Sequence, residues 1–289
     1  MEPEHDITYE ELCEKGTEQL KAAGVTEAQL DARLLLESVC GTDHNTLLVH
    51  GDRIVSAEEA EAYQKKISAR AHRIPLAYIT GSQEFMGLTF KVSDQVLIPN
   101  QDTETLVEEG LKLLHDGMRF MDLCTGSGCI ALSLLHYTND TTATATDISP
   151  EALEIAVQNA QQLKMADRVR FEKTDLFPEK AEKEEKVRAD LIISNPPYIP
   201  TEVIDTLAPE VKDHEPRLAL DGRTDGLDFY RRMIAEAPEW LYESGWLLME
   251  IGYDQGESVS ALMKKKGFHE VQVVQDLGGR DRVVLGCWF

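Results

Sequence analysis

Three times in the first 75 residues a hydroxyl residue stands three positions before an acid or amide, just where apolar spacing begins: Thr8 and Glu11, Thr26 and Gln29, Ser56 and Glu59. Each pair has the form of a capping box and predicts the start of a short helix. Behind Thr26, the residues Leu30, Leu34, Leu35 and Val39 make one apolar stripe that Gly41 ends, and behind Ser56 the set Ala60, Tyr63, Ile67 and Ala71 makes another. Helices without intervening strands predict a small bundle over residues 1–75. Pro75 breaks the pattern, and LAYITGSQEFMGLTFKVSDQVLIP reads as short β segments turning at Gly81 and Gly87, a β-hairpin connector over 76–99.

From residue 100 to 289 strands and helices alternate: RFMDLC, a helix from about Ile130, TATATDI, a helix over 151–164, RVRFEKTD, ADLIISN, GWLLMEI and a helix near 255–266. Alternation at this spacing predicts an α/β fold with a doubly wound parallel sheet. HEVQVVQD and RVVLGCW, with a Gly-Gly turn between them, predict a terminal antiparallel hairpin. The charged run EKAEKEEKVR is expected to be a solvated loop or helix face.

Composition narrows the partners. Lys and Arg number 29 against 52 Asp and Glu, a formal charge of −23, which argues against nucleic acid as the main substrate because phosphate binding needs the opposite sign. The five cysteines, Cys13, Cys40, Cys124, Cys129 and Cys287, contain no Cys-x-x-Cys pair, so neither a disulfide framework nor a zinc site is expected, and no metal is implied. The N-terminal stretch is acidic where a signal peptide is basic and then apolar, and no apolar run approaches a membrane span, so a cytoplasmic protein away from membranes is expected.

Two loops carry candidate chemistry. Asp122-Leu-Cys124-Thr125-Gly126-Ser127-Gly128 joins a strand to a helix, where glycines let a ligand approach the backbone. Alone it also satisfies a loose dinucleotide fingerprint, or a tight turn with no ligand. Asp147, at the end of the next strand, is placed to accept both hydroxyls of a ribose. Asp175, with Leu176 and Phe177, is placed either to border an adenine ring or to cap a helix. The second loop is Ser194-Asn195-Pro196-Pro197-Tyr198, directly after an apolar strand. Its prolines fix φ and contribute no amide donors, leaving a rigid, acceptor-rich array beside an amide and an aromatic ring, suited to a planar NH2 group.

Asp122 to Gly128, Asp147 and Asn195-Pro-Pro-Tyr198 together resemble the class I methyltransferases that use S-adenosylmethionine and act on planar amide or amino nitrogens. More closely, Arg73-x-Pro75, Tyr78-x-x-Gly81, Glu84-Phe85, Leu97-Ile-Pro99, Asp102-Thr-Glu104, Glu215-Pro-Arg-Leu-Ala-Leu220 and Asp225-Gly-Leu-Asp-Phe-Tyr230 resemble the HemK/PrmC family over nearly the whole chain. That resemblance implies a helical bundle joined by a hairpin to a Rossmann-like domain, and methylation of the glutamine in the Gly-Gly-Gln motif of peptide chain release factors at its side-chain nitrogen. It implies that Cys124, Thr125, Gly126, Ser127 and Gly128 line the methionine and ribose portion of the cofactor, Asp147 the ribose, and Asp175 and Leu176 the adenine side. Asn195 would meet cofactor and glutamine, with Pro196, Pro197 and Tyr198 completing the substrate slot; Asn195, Pro196 and Tyr198 are the expected catalytic residues. Two departures from the family pattern stand out: Cys124 occupies a position usually glycine, and Asn100 one usually arginine.

The rival readings are a glutamine methyltransferase of a large-subunit ribosomal protein and an N6-adenine nucleic-acid methyltransferase. An NAD-dependent oxidoreductase accounts for the glycine turn but leaves the Asn-Pro-Pro-Tyr loop unused.

Overall fold

The computed structural model describes residues 7–178 and 188–289; most of the charged run EKAEKEEKVR lies outside the described residues. The chain divides into two compact units, one made of residues up to Gly81 together with Ala208–His214, the other of Ser82–Leu207 and Glu215–Phe289.

The first unit is helical. Its helices are α1 (Tyr9–Ala22), α2 (Ala28–Cys40), α3 (His44–Val49), α4 (Ala57–Ala71) and the single turn α5 (Leu76–Thr80). Thr8 and Ser56 close full capping boxes with Glu11 and Glu59. The box expected at Thr26 does not form: α2 begins after Glu27 with no side-chain cap. The buried face of α2 is Ala28, Asp31, Ala32, Leu35 and Leu36, and Leu30 is exposed, so the stripe is rotated from the one its leucines suggest. The rotation admits a charged residue. Buried Asp31 accepts from Arg70 Nε at 2.7 Å, and Arg70 and Arg73 both reach Glu210, at 3.0 and 2.6 Å. Burial alone raises the Glu210 pKa, but the hydrogen bonds from Arg73 and Arg70 outweigh it and hold the carboxyl at about 2. Tyr63 crosses the core to donate to the Ala32 carbonyl, packing where a Cβ on Gly16 would stand 2.2 Å from its hydroxyl.

Residues 76–80, expected as a β segment, are instead α5, framed by Pro75 before it and Gly81 at φ +80 after it. The first turn of a helix tolerates a proline and its end favours a left-handed glycine, and here those preferences outweigh the strand-like composition.

The second unit opens with the antiparallel hairpin β1 (Ser82–Phe85) and β2 (Leu88–Lys91), followed by α6 (Gln101–Leu113), β3 (Arg119–Leu123), α7 (Cys129–Tyr137), β4 (Thr142–Asp147), α8 (Pro150–Gln162), β5 (Val169–Lys173) and β6 (Ala189–Ser194). After short turns come the helix Asp228–Trp240, β7 (Leu241–Glu250), the helix Gly256–Lys266, β8 (His269–Gln275) and β9 (Asp281–Trp288). The seven-stranded sheet has the order β5-β4-β3-β6-β7-β9-β8. It is parallel from β5 to β7, and β9 then runs antiparallel to both β7 and β8, as the terminal hairpin predicted.

Both faces of the sheet are covered. Phe120, Leu191, Ile193 and Leu248 pack under α6, α7 and the hairpin phenylalanines Phe85 and Phe90, whereas Met121, Ile192, Leu247 and Met249 pack under Tyr230, Met233 and Val259. Alternate residues of each strand serve opposite layers, as a two-sided sheet requires. The strand order reverses at β3, whose neighbours are β4 and β6. Loops leaving the carboxyl ends of strands at such a reversal diverge and open a crevice. The register pairs Leu123 with both Thr146 and Ser194, so the loops after β3, β4 and β6 depart side by side.

Candidate active site

The loop after β3 is built from left-handed backbone. Cys124, Gly126 and Gly128 have φ of +59, +55 and +81. Cys124 takes the conformation that a glycine would adopt freely, at a cost of about 1–2 kcal/mol. The turn is anchored where Thr125 N donates to the Thr146 carbonyl at 2.9 Å and Gly128 N to the Thr125 carbonyl at 2.8 Å. Beneath it Asp122 is fully buried, accepting from Thr125 Oγ1 at 2.6 Å and Ala131 N at 3.2 Å. Burial pushes its carboxyl up to about 7 despite those bonds. The same burial, with Asp147 and Asp122 nearby, raises the Cys124 thiol and keeps it neutral.

Asp147 ends β4 and ties the loop to the next helix: its Oδ2 accepts from Gly126 N at 2.9 Å and its Oδ1 from Ser149 N at 2.9 Å. Burial raises its pKa, and the backbone bonds from Ser149, Gly126 and Ile148 oppose the shift. Each carboxylate oxygen keeps a lone pair for a further donor. After β5, Asp175 pairs with Arg232 at 2.8 Å and caps no helix among the described residues, and Leu176, buried at φ +76, accepts from Thr146 Oγ1 at 2.5 Å.

After β6, Ser194 Oγ donates to the Leu123 carbonyl at 2.6 Å, stitching the two loops together. Asn195 Nδ2 donates to Thr103 Oγ1 on α6 at 3.3 Å. Asn100, the departure from the family pattern, is the N-cap of α6, its side chain accepting from Asp102 N at 3.0 Å. Pro196 and Pro197 are buried, and the Tyr198 hydroxyl lies 3.3 Å from Glu250 Oε1. The Tyr198 carbonyl accepts from Gln255 Nε2 at 3.0 Å, and Ile199 forms a bridge with Asp221. Ile199 N also donates to the Leu220 carbonyl at 3.0 Å and Gln255 Nε2 reaches the Gly226 carbonyl at 3.4 Å, so Leu220 and Gly226 of the two family stretches buttress the Asn-Pro-Pro-Tyr loop.

A cavity of about 350 Å³ opens among these loops, lined by Cys124, Gly126, Asp147, Asp175, Leu176, Asn195 and Pro197. It is the size of a small-molecule site. Thr125, Ser127, Gly128, Pro196 and Tyr198 do not line it. Thr125 spends its hydroxyl on Asp122, and Gly128 packs against α8, where a Cβ would come 3.3 Å from that of Ala156. Sequence reasoning missed several walls, namely Gln95 to Leu97, Ile148, Leu218, Arg223, Phe229 and Arg232. Gln95 to Leu97, Ile148 and Arg223 come from loops with no periodic pattern, Leu218 from the single helical turn Arg217–Leu220, and Phe229 and Arg232 from the start of the helix Asp228–Trp240, although Leu97, Leu218 and Phe229 fall inside the quoted family stretches. A more open recess of about 620 Å³, near Leu111, His115 and Tyr137, lies at the amino edge of the sheet, away from these strand ends.

A doubly wound sheet with a terminal antiparallel hairpin, an acid closing its second parallel strand and Asn-Pro-Pro-Tyr closing the fourth, defines a class I methyltransferase. A family described as "Methyltransferase domain" matches residues 114–240, and one described as "PrmC N-terminal domain" matches 11–81. A methyltransferase structure from Pyrococcus furiosus shares the fold, with a TM-score of 0.52 and 17% identity over 81% of this chain and 98% of its own. The release factor glutamine methyltransferase of Geobacter sulfurreducens is 42% identical over 92% of both chains, and that of Clostridium botulinum 39% identical over 96% of this chain and 98% of its own. The chain belongs to the release factor glutamine methyltransferase family.

Proposed function

We propose that the protein transfers a methyl group from S-adenosylmethionine to the side-chain nitrogen of the glutamine in the Gly-Gly-Gln motif of release factors. The observation that carries this reading is the single cavity walled on one side by Cys124, Asp147 and Leu176 and on the other by Asn195 and Pro197. The donor set fits the cofactor. Asp147 keeps acceptor capacity for two ribose hydroxyls, Cys124 and Gly126 offer a close backbone wall, and Leu176 with Asp175 gives an apolar surface edged by an acceptor. Thr125, Ser127 and Gly128 shape the turn that holds these groups.

S-adenosylmethionine supplies a methyl group activated on a sulfonium sulfur. Everything else falls to the chain. An amide nitrogen is a weak nucleophile, and no side chain of this site is basic enough to deprotonate it at neutral pH, so catalysis rests on placement. Asn195 Oδ1, on the cavity wall, accepts one glutamine amide hydrogen, and the carbonyl of Pro196, the residue between the lining residues Asn195 and Pro197, accepts the other once the substrate seats against the loop. These contacts strengthen as positive charge builds on nitrogen, so they favour the transition state over the ground state. Pro197 holds the loop rigid, and Tyr198, anchored through its hydroxyl, sets its angle. Five free cysteines and a translational substrate fit a cytoplasmic setting.

The test is mass spectrometry of a release factor incubated with the protein and S-adenosylmethionine. One added methyl on the Gly-Gly-Gln glutamine is expected; an unmodified peptide beside methylated ribosomal protein or adenine overturns the assignment in favour of those substrates.

A further inference from the structure

Asn159 lies on α8, is completely buried and has no task in the chemistry above. Both hydrogens and the oxygen of its side-chain amide are spent on backbone. Nδ2 donates to the Ser127 carbonyl at 2.9 Å and to the Lys91 carbonyl at 3.1 Å, and Oδ1 accepts from Lys91 N at 2.7 Å. Only one orientation of the amide satisfies all three: turned over, its oxygen would face two carbonyls and its NH2 an N–H.

The bonds join two walls of the cavity. Ser127 is buried between Gly126 and Gly128, whose φ angles are +55 and +81. A peptide next to a glycine turns over at little steric cost, so the Ser127–Gly128 peptide keeps its direction only if it is held. It is held at both ends: Gly128 N donates to the Thr125 carbonyl at 2.8 Å, and the Ser127 carbonyl accepts from Asn159. Turning that peptide would disturb Gly126, which lines the cavity and donates to Asp147 at 2.9 Å. At the other end, Lys91 closes β2 and leads by a few residues to Gln95, Val96 and Leu97 on the cavity wall. The hairpin has further anchors of its own, since Gln162 Nε2 donates to the Thr89 carbonyl at 3.1 Å and Phe85 and Phe90 are buried in the core. Loss of the Asn159 amide therefore acts on the two cavity walls without undocking the hairpin.

We propose that Asn159 is a positioning residue for the cofactor, locking the glycine loop and the Gln95–Leu97 segment in the receptive shape before S-adenosylmethionine arrives. This rests on the reading that the cavity takes S-adenosylmethionine, and is independent of which substrate receives the methyl group. Apparent affinity falls in proportion to the fraction of molecules in the competent shape. Without Asn159 the Ser127 carbonyl is left buried and unpaired, and the loop gains a hydrogen bond by turning it elsewhere. The net worth of one such bond is enough to leave about a tenth of the molecules competent.

The test is calorimetric titration of S-adenosylhomocysteine into the wild type, Asn159→Ala and Asn159→Asp, with Tm and methylation kinetics measured alongside. Asn159→Ala removes all three bonds; Asn159→Asp keeps the acceptor for Lys91 N but sets an oxygen against the Ser127 and Lys91 carbonyls. The Kd should rise roughly tenfold in Asn159→Ala and further in Asn159→Asp, the KM for S-adenosylmethionine should rise with it, and kcat at saturating cofactor should stay within about twofold of wild type. A role in stability alone would lower Tm and leave Kd unchanged at a temperature where the variants are folded. Wild-type Kd in either folded variant, or a fall in kcat with Kd unchanged, overturns the proposal. If neither variant folds, the wild type decides by NMR: without ligand, the Asn159 side-chain NH2 should give one set of signals protected from solvent exchange and unmoved by S-adenosylhomocysteine, and two sets or rapid exchange overturn it. The two readings fail differently: a wild type that binds no S-adenosylhomocysteine removes the cofactor reading, whereas a binding wild type beside an undiminished variant removes only the role of Asn159.

Discussion

Asn195 and Asp147 face one cavity but are held by different partners, and their loss should be felt in different constants. Asn195→Ala removes the acceptor proposed for the substrate amide, a bond that would strengthen in the transition state, so kcat should fall by about 10² or more with little change in cofactor affinity. Single-turnover kinetics would show it. Asp147→Ala removes the acceptor expected for the ribose and also frees Gly126 N, so calorimetry should show S-adenosylhomocysteine binding weakened by about tenfold or more. Undiminished binding would take Asp147 out of the site. Both residues stand out in the sequence because each stands at the carboxyl end of a readable strand. Glu250 does not, because it reads as the polar end of GWLLMEI, and only the strand order brings it beside the Asn-Pro-Pro-Tyr loop. Thr103 is equally silent, a hydroxyl in an acidic helix whose partner lies 92 residues away.

Whole elements were readable where a local rule acted without competition. Thr8 and Ser56 cap their helices as their spacing predicts, and the alternation from β3 onward gives the sheet. The α2 face was misread because Leu34, Leu35 and Leu36 lie in a row, which points to several faces at once, and the Asp31–Arg70 pair selects one of them. The turns that buttress the Asn-Pro-Pro-Tyr loop show the limit of local reading. Gly226 lies at φ +72, and a Cβ there would stand 2.3 Å from the Tyr198 carbonyl; at Gly222 it would stand 2.7 Å from the Tyr198 backbone. Gly226→Ala should therefore shift the Asn-Pro-Pro-Tyr loop, lowering kcat and costing about 1–3 kcal/mol in chemical denaturation. An alanine variant with wild-type kinetics would show that the loop does not depend on this buttress.

For the molecule as a whole, charge and buried acids act in the same direction. Asp122 and Glu250 are held at about 7 by burial, against about 4 in an unfolded chain, so the folded state favours their neutral forms. The stability they contribute is full below about pH 4 and is lost as pH rises through 7. The formal charge of −23 adds self-repulsion over the same range. Glu210 and Asp225, both held at about 2, work in the opposite sense and lose their contribution as pH falls below about 4 toward 2. Calorimetry should accordingly find Tm higher at pH 6 than at pH 8.5 in low salt. Added salt should reduce only the part due to surface charge, and a Tm that climbs from pH 6 to 8.5 would contradict the assignment of neutral buried acids.

The arginine clasp on Glu210 bears on how the protein is made. On a ribosome, residues up to Gly81 emerge well before Ala208–His214, the segment that completes their unit. At typical rates of synthesis of about 5–20 residues per second, Arg70 and Arg73 wait on the order of ten seconds for their carboxylate. During that interval the nascent bundle is an unfinished body, with Arg73 lacking its acid and Arg70 paired with one of its two acids, Asp31. Its last contact arrives on a stretch of chain flanked on both sides by the other unit, so the larger part of that unit, Ser82–Leu207, must be translated before the bundle can be sealed.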